Sequence, residues 1–220
     1  MTQQRAILFD LDGTLIDTTD LIIACFEHSW RTVTGRGQAR ETLIATFGMP
    51  LREAFRVLAA EQDCGPDADQ VEQLLLEYRS FNLANPDGMI RRFPGAMRAV
   101  AELKARDYLI GVVSSKGREL GRRGLELCSL DCFLDVAVFL EDTDQHKPHP
   151  DPVLKALDKL NLRPTLAAYV GDSRHDLIAG RAAGVRTVAA MWGPSPRKAL
   201  EQHHPDFRVE SITDLLEIFD

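Results

Sequence analysis

The stretch at residues 9–15, FDLDGTL, constrains the fold more than any other: the apolar run Ala6-Ile7-Leu8-Phe9 stops at two aspartates, Asp10 and Asp12, with Gly13 and Thr14 directly behind them. An apolar run of this kind suits a parallel sheet buried on both faces, and open α/β sheets bind ligands beyond the carboxyl ends of their strands. Strand alternation puts Asp10 and Asp12 on one side, where their repulsion demands a cation or a raised pKa. A bound metal is the natural compensation. Gly13 permits a tight turn, and Thr14 is placed to cap whatever follows. Taken alone, an Asp-Gly pair behind a strand is also a common hairpin signal, so the rest of the chain has to decide.

Composition narrows the class. Of the 220 residues 45% are hydrophobic, enough to bury the core of one domain or of a domain with an insertion. A formal charge of −7 and the lack of any basic block argue against a nucleic-acid or anionic-membrane surface, and for a small ligand. No run approaches the ~18 apolar residues of a membrane span, and Asp10 interrupts the N-terminal segment before a signal-peptide core forms, so a cytoplasmic location is expected. The cysteines, Cys25, Cys64, Cys128 and Cys132, contain no Cys-x-x-Cys pair and are expected to be reduced packing residues. A monomer or homodimer is expected.

Along the chain, apolar residues first recur at helical spacing: Leu21-Ile22-Cys25-Phe26, Leu43-Ile44-Phe47, Phe55-Leu58-Ala59 and Val71-Leu74-Leu75-Tyr78. Breaks at Thr34-Gly35, Gly48-Met49-Pro50 and Cys64-Gly65-Pro66 divide this block into four helices without a strand. An all-helical block inserted after one strand reads as a cap over residues 17–88. From Pro94 onward strands and helices alternate, with strands expected at 108–113, 136–140, 166–170 and 185–191, helices at 118–127, 153–160 and 176–183, and a short strand and helix closing the chain at 207–219. Such alternation implies an α/β fold, a Rossmann-like parallel sheet in a three-layer αβα core formed by residues 1–16 and 89–220, with right-handed crossovers.

Several later strand ends carry polar residues, and in a parallel sheet such ends share one edge. Ser114-Ser115-Lys116-Gly117 puts a hydroxyl before a helix start, which favours a phosphate, although an ordinary serine N-cap reads the same way. His146-Lys147-Pro148-His149-Pro150 holds a lysine in an extended loop, suited to an anion; a lysine between the two histidines argues against a metal there. Gly171-Asp172-Ser173-Arg174-His175-Asp176 offers two carboxylates four apart, which could equally cap a helix and compensate its dipole. Hard oxygen ligands from Asp10 and Asp172 describe a Mg²⁺ site. Gathered on one edge, these groups are the parts that phosphoryl transfer needs.

In that order, Asp-x-Asp-Gly-Thr-Leu, the apolar strand ending in Ser114, Lys147-Pro148 and Gly171-Asp172-x-x-x-Asp176 resemble the four motifs of the haloacid dehalogenase-like phosphohydrolase superfamily, over essentially the whole chain and with a helical cap of the C1 type. The resemblance implies that Asp10 attacks phosphorus to form an aspartyl-phosphate. It implies that Asp12 protonates the leaving group and then deprotonates the attacking water, while Ser114, Ser115 and Lys147 bind the transferring phosphoryl. Mg²⁺ would be held by Asp10, the backbone carbonyl of Asp12 and Asp172, with Asp176 a ligand or a partner one shell out that orients Lys147.

Within the superfamily, Asp12 argues against a dehalogenase, and the lack of any lysine before Lys104 against a Schiff-base phosphonate hydrolase. A sugar phosphomutase fits less well, because its fourth motif usually begins Glu-Asp. The remaining similarity is to phosphoglycolate phosphatases and to closely related phosphatases of inorganic pyrophosphate. Gly48 in the cap turn is expected to approach the substrate, and Arg52 and Arg56 are candidate cap charges. The expected function is therefore Mg²⁺-dependent hydrolysis of a small phosphorylated metabolite such as a phosphoglycolate-like monoester. A pyrophosphatase is the alternative within the family, and a catalytically silent phosphometabolite-binding protein the alternative outside it.

Overall fold

A computed structural model describes residues 4–61, 68–84 and 88–220. In chain order, β1 (Arg5–Phe9) leads through β2 (Ile16–Asp17) into the helices α1 (Thr19–Thr34), α2 (Arg40–Ile44), α3 (Leu51–Glu61) and α4 (Ala68–Ala84), and β3 (Arg91–Arg92) brings the chain back. There follow α5 (Ala96–Ala105), β4 (Tyr108–Val113), α6 (Arg118–Leu127), β5 (Val136–Val138), α7 (Asp151–Lys159) and β6 (Ala167–Gly171). The chain closes with α8 (Arg174–Ala183), β7 (Arg186–Ala190), α9 (Arg197–Glu201), β8 (Phe207–Val209) and α10 (Leu215–Ile218).

A parallel six-stranded sheet runs in the order β5-β4-β1-β6-β7-β8, so the strand carrying the aspartates lies inside it. The continuous apolar run of β1 has its reason in the layers on either side. Ile7 and Phe9 join the apolar cluster that includes Ala99, Val100 and Leu103 of α5, while Ala6 and Leu8 join the one that includes Val153 and Leu157 of α7 and Ala179 of α8. A strand covered on both faces has no polar side to alternate with.

Helices α1 to α4 bury a cluster of their own, with Leu21, Phe26 and Trp30 of α1, Leu43 of α2, Phe55 and Leu58 of α3, and Leu74 and Tyr78 of α4. Phe26 stands edge-on to both Phe55 and Tyr78, each with ring centroids 5.1 Å apart. Gly35, at φ +71°, ends α1 by returning its N–H to Arg31, where the sequence break lies. Among the described residues no helix is long and apolar enough to cross a membrane.

The expected order of elements is present, and the differences are local. Ile16 and Asp17 pair antiparallel with Arg92 and Arg91, a ribbon too short to leave a period-2 pattern in the sequence. The expected strand at 136–140 stops at Val138, because the Asp142 carboxylate accepts the Phe139 N–H (2.9 Å) and bends 140–142 into a 3₁₀ turn. The Lys147 loop is a turn rather than an extended segment, with a cis Lys147-Pro148 bond and the His149 N–H donating to the His146 carbonyl (2.8 Å). The five-residue α9 was not expected. Cys25 and Cys128 are buried as expected, whereas Cys132 is exposed, on the 3₁₀ turn after α6. Cys64 and the turn expected at Cys64-Gly65-Pro66 lie outside the described residues.

Candidate active site

Lys147 lies at the centre of the site, with 2% of its surface exposed. Its Nζ donates to Asp10 Oδ1 at 2.8 Å, Asp176 Oδ1 at 2.6 Å and the Tyr169 hydroxyl at 3.1 Å. Each partner is fixed by its element. Asp10 continues β1, its backbone N–H donating to the Val170 carbonyl of β6 (2.8 Å). Asp176 is the third residue of α8 and closes a capping box: its Oδ2 accepts from the Ser173 N–H (3.0 Å) and the Ser173 hydroxyl (2.5 Å). Tyr169 on β6 holds its hydroxyl 2.9 Å from both the Val113 carbonyl and Asp176 Oδ1. Burial works against the Lys147 ammonium, yet the carboxylates of Asp10 and Asp176 outweigh it and hold its pKa above the ordinary lysine value.

The carboxylates call for more cation than Lys147 provides. Asp10, Asp172 and Asp176 are all buried, and each offers an oxygen within 4.8 Å of the others. Burial, opposed by Lys147 and reinforced by Asp176, pushes the Asp10 carboxyl up to about 7. Burial, with Asp10 and Asp176 adding repulsion, raises Asp172 well above the carboxylate range. For Asp176 the burial penalty is overcome by Lys147, and its pKa falls below the ordinary value. Three buried carboxylates against one ammonium are the donor set of a hard divalent cation, so the residues fit a Mg²⁺ site. Both oxygens of Asp176 are engaged by Lys147, Tyr169 and Ser173, whereas Oδ2 of Asp10 and Oδ2 of Asp172 accept no hydrogen bond from the described residues.

A cradle shapes the place of Asp172. Gly13 sits at φ +82°, and a Cβ there would lie 2.5 Å from Asp172 Oδ2. The Thr14 hydroxyl donates to Asp172 Oδ1 (2.9 Å) instead of capping a helix, as the sequence had suggested, and Trp192 Nε1 pins the Thr14 carbonyl (3.0 Å).

On the open side, Asp10, Asp12, Gly48, Ser114, Ser115, Lys147 and Asp172 all line one cavity of about 340 Å³ between the sheet edge and helices α1 to α4. Asp176 lies beneath it, against Lys147. Asp12 Oδ1 accepts from Lys116 Nζ (2.7 Å) and the Thr18 hydroxyl (2.6 Å). Neither Lys116, Thr18 nor Tyr169 was singled out from the sequence. Lys116 had a signal, following two serines at a strand end, whereas Thr18 and Tyr169 carry none that distinguishes them from packing residues.

Two expectations for the anion-binding groups are modified. The first N–H of α6, that of Arg118, donates to the Glu141 carboxylate (2.9 Å), so this part of the helix start is already capped. The Ser115 hydroxyl donates to the Gly48 carbonyl (2.8 Å), tying the core to the turn after α2. Arg52 is paired with Glu72 on the surface, and the arginine that borders the cavity is Arg79 of α4.

Gly48 makes that tie possible. It has φ +85°, and a Cβ on it would stand 2.6 Å from Ser173 Oγ and 3.4 Å from the His175 ring. Gly48→Ala is therefore expected to push the turn off the core and lower turnover about tenfold or more, with a loss in thermal stability of about 1–3 kcal/mol. Steady-state kinetics beside thermal melts check this; normal kinetics would mean the contact is dispensable.

The sequence pattern of the haloacid dehalogenase-like hydrolases matches residues 7–190. A Bacillus cereus protein named pyrophosphatase PpaX is 38% identical over 214 residues, covering 97% of this chain and 95% of that protein. Among solved structures, a haloacid dehalogenase-like family hydrolase from Streptococcus pneumoniae superposes with a TM-score of 0.85 at 25% identity, covering 100% of both chains. A Haemophilus somnus protein described as a predicted phosphoglycolate phosphatase has the same fold, with a TM-score of 0.87 at 24% identity over 100% of both chains. With its motif residues converging on one sheet edge, the chain belongs to the haloacid dehalogenase-like hydrolases and is a hydrolase of phosphoric ester bonds.

Proposed function

We propose that this chain is a Mg²⁺-dependent phosphatase of a small, phosphoglycolate-like phosphomonoester, working through an aspartyl-phosphate on Asp10 in the cytoplasm. The observation that carries this reading is the pairing at the cavity floor: Asp10 with one carboxylate oxygen on Lys147, and Asp12 two residues on, held by Lys116 and Thr18. Oδ2 of Asp10 attacks phosphorus as the bond to the leaving oxygen breaks, and Asp12 gives that oxygen its proton. Asp12 then takes a proton from the water that attacks the aspartyl-phosphate, which releases phosphate and restores Asp10. Lys147 and the Ser114 hydroxyl bind the phosphoryl oxygens, and Asp176 positions Lys147. Asp10, the Asp12 carbonyl and Asp172 would hold Mg²⁺, which when bound offsets charge on the transferring phosphoryl.

Pyrophosphate is a second reading, favoured by the name of the Bacillus relative. The test is phosphate release from 2-phosphoglycolate, pyrophosphate and an aryl phosphate, in Mg²⁺ and in EDTA. Release in Mg²⁺ that falls to background in EDTA is expected. No release from folded protein in Mg²⁺ would favour a silent phosphometabolite-binding protein instead.

A further inference from the structure

The cavity above Asp10 differs in its two halves. The floor is polar, but the side formed by α1 to α4 contributes Ile22 and Phe26 of α1, Phe47 and Met49 of the turn after α2 and Tyr78 of α4, and Leu120 of α6 also lines the space. Of the cations that border the space, Lys147 is engaged by Asp10 and Asp176 and Lys116 by Asp12, which leaves Arg79, exposed on α4. Glu119 and Glu141 also line the cavity and carry negative charge, Glu141 while accepting from the Arg118 N–H.

A leaving group that is itself a phosphate needs donors and cations where its charge collects, and an apolar wall strips its water without replacing it. The same wall gains from covering an apolar body. At about 340 Å³ the space lies near the lower end of the ~300–1,000 Å³ of small-molecule pockets, with room for a phosphoryl group and a ring-sized organic group.

Resting on the phosphatase chemistry proposed above, but replacing its anionic glycolate-like leaving group, we propose that the preferred substrate is a phosphomonoester whose leaving alcohol carries a compact apolar body, and that Ile22, Phe47 and Met49 select it. All three are half-buried, with surface left to cover. The P–O bond to that alcohol breaks, its oxygen takes the proton from Asp12, and water supplies the oxygen that leaves as phosphate.

The test compares kcat/KM in Mg²⁺ for methyl phosphate, cyclohexylmethyl phosphate and pyrophosphate, in wild type, in Met49→Ala and in Asp10→Asn. The two alcohols differ little in acidity, so the monoesters differ mainly in what the wall can cover. Wild type is expected to prefer cyclohexylmethyl over methyl phosphate about tenfold or more and to prefer it over pyrophosphate, and Met49→Ala to narrow the first ratio. Asp10-dependent turnover with a flat alkyl pair, or with pyrophosphate preferred, overturns the apolar assignment and leaves the phosphatase reading standing. No turnover of any of the three overturns the apolar assignment, and the phosphatase reading falls with it only if 2-phosphoglycolate and an aryl phosphate also go unhydrolysed. Should Met49→Ala fail to fold, the wild-type ratios alone decide.

Discussion

Asp10→Asn protein is expected to fold normally and to release phosphate slower than wild type by about 10⁴-fold or more, the scale on which removal of a covalent nucleophile acts. The amide matches the carboxylate in shape and still accepts from Lys147 Nζ, so the packing around β1 has no reason to change. Lys147 keeps Asp176 as its ionic partner, and the amide removes one repulsive contribution to Asp172. Thermal stability should therefore hold or rise slightly while turnover collapses. Phosphate release and a thermal melt on the same preparation check both halves, and near-normal turnover would remove Asp10 from the chemistry.

Lys147→Met is the second large effect, and here stability goes as well. The methionine has similar volume, but Asp10 and Asp176 are left buried without their shared ammonium, a type of loss that costs about 3–5 kcal/mol. The deficit depends on pH with a definite sign. Asp10 already sits at about 7 with the ammonium beside it, and loss of that cation raises it further. From the ordinary carboxylate value up to the raised one, the folded state binds more protons than the unfolded, so stability falls as pH rises across that window. The variant should lose more against wild type at about pH 8 than at about pH 5.5, and added Mg²⁺ should restore part of it at the higher pH. Denaturant titrations at the two pH values test this; an equal deficit at both would mean the carboxylates do not carry it.

Much of this molecule was legible in the sequence because its signals are local. The buried strand with its two aspartates, the 3.6-residue period of α1 to α4, and the alternation after Pro94 each follow from a few adjacent residues. The positions of Asp10, Ser114, Lys147 and Asp172 about one cavity follow from a rule of parallel sheets applied to strand ends. What was not legible depends on partners far apart in the chain. Nothing near Thr14 indicates that its hydroxyl serves Asp172, nothing near Ser115 indicates Gly48, and the Glu141 carboxylate that caps α6 lies 23 residues from Arg118. Of the neighbours that take up both oxygens of Asp176, Tyr169 is identified only by the fold, and the role of Asp176 as ligand or support stayed open from sequence.

The inner position of β1 also bears on the order in which the chain can assemble. Ile7 pairs with Ile110 on one side and Ala168 on the other, so the first strand made is flanked only after most of the polypeptide exists. Helices α1 to α4 draw on neighbours within a far shorter span, and contacts of small sequence separation form first because they close smaller loops. Until β4 and β6 arrive, β1 is an apolar segment with both edges bare, the form most prone to wrong pairing during synthesis or refolding. The aspartates at its end are part of no site at that stage. Lys147, Asp172 and Asp176 come in the last third of the chain, so the reactive edge can be completed only once the sheet itself has closed around its first strand.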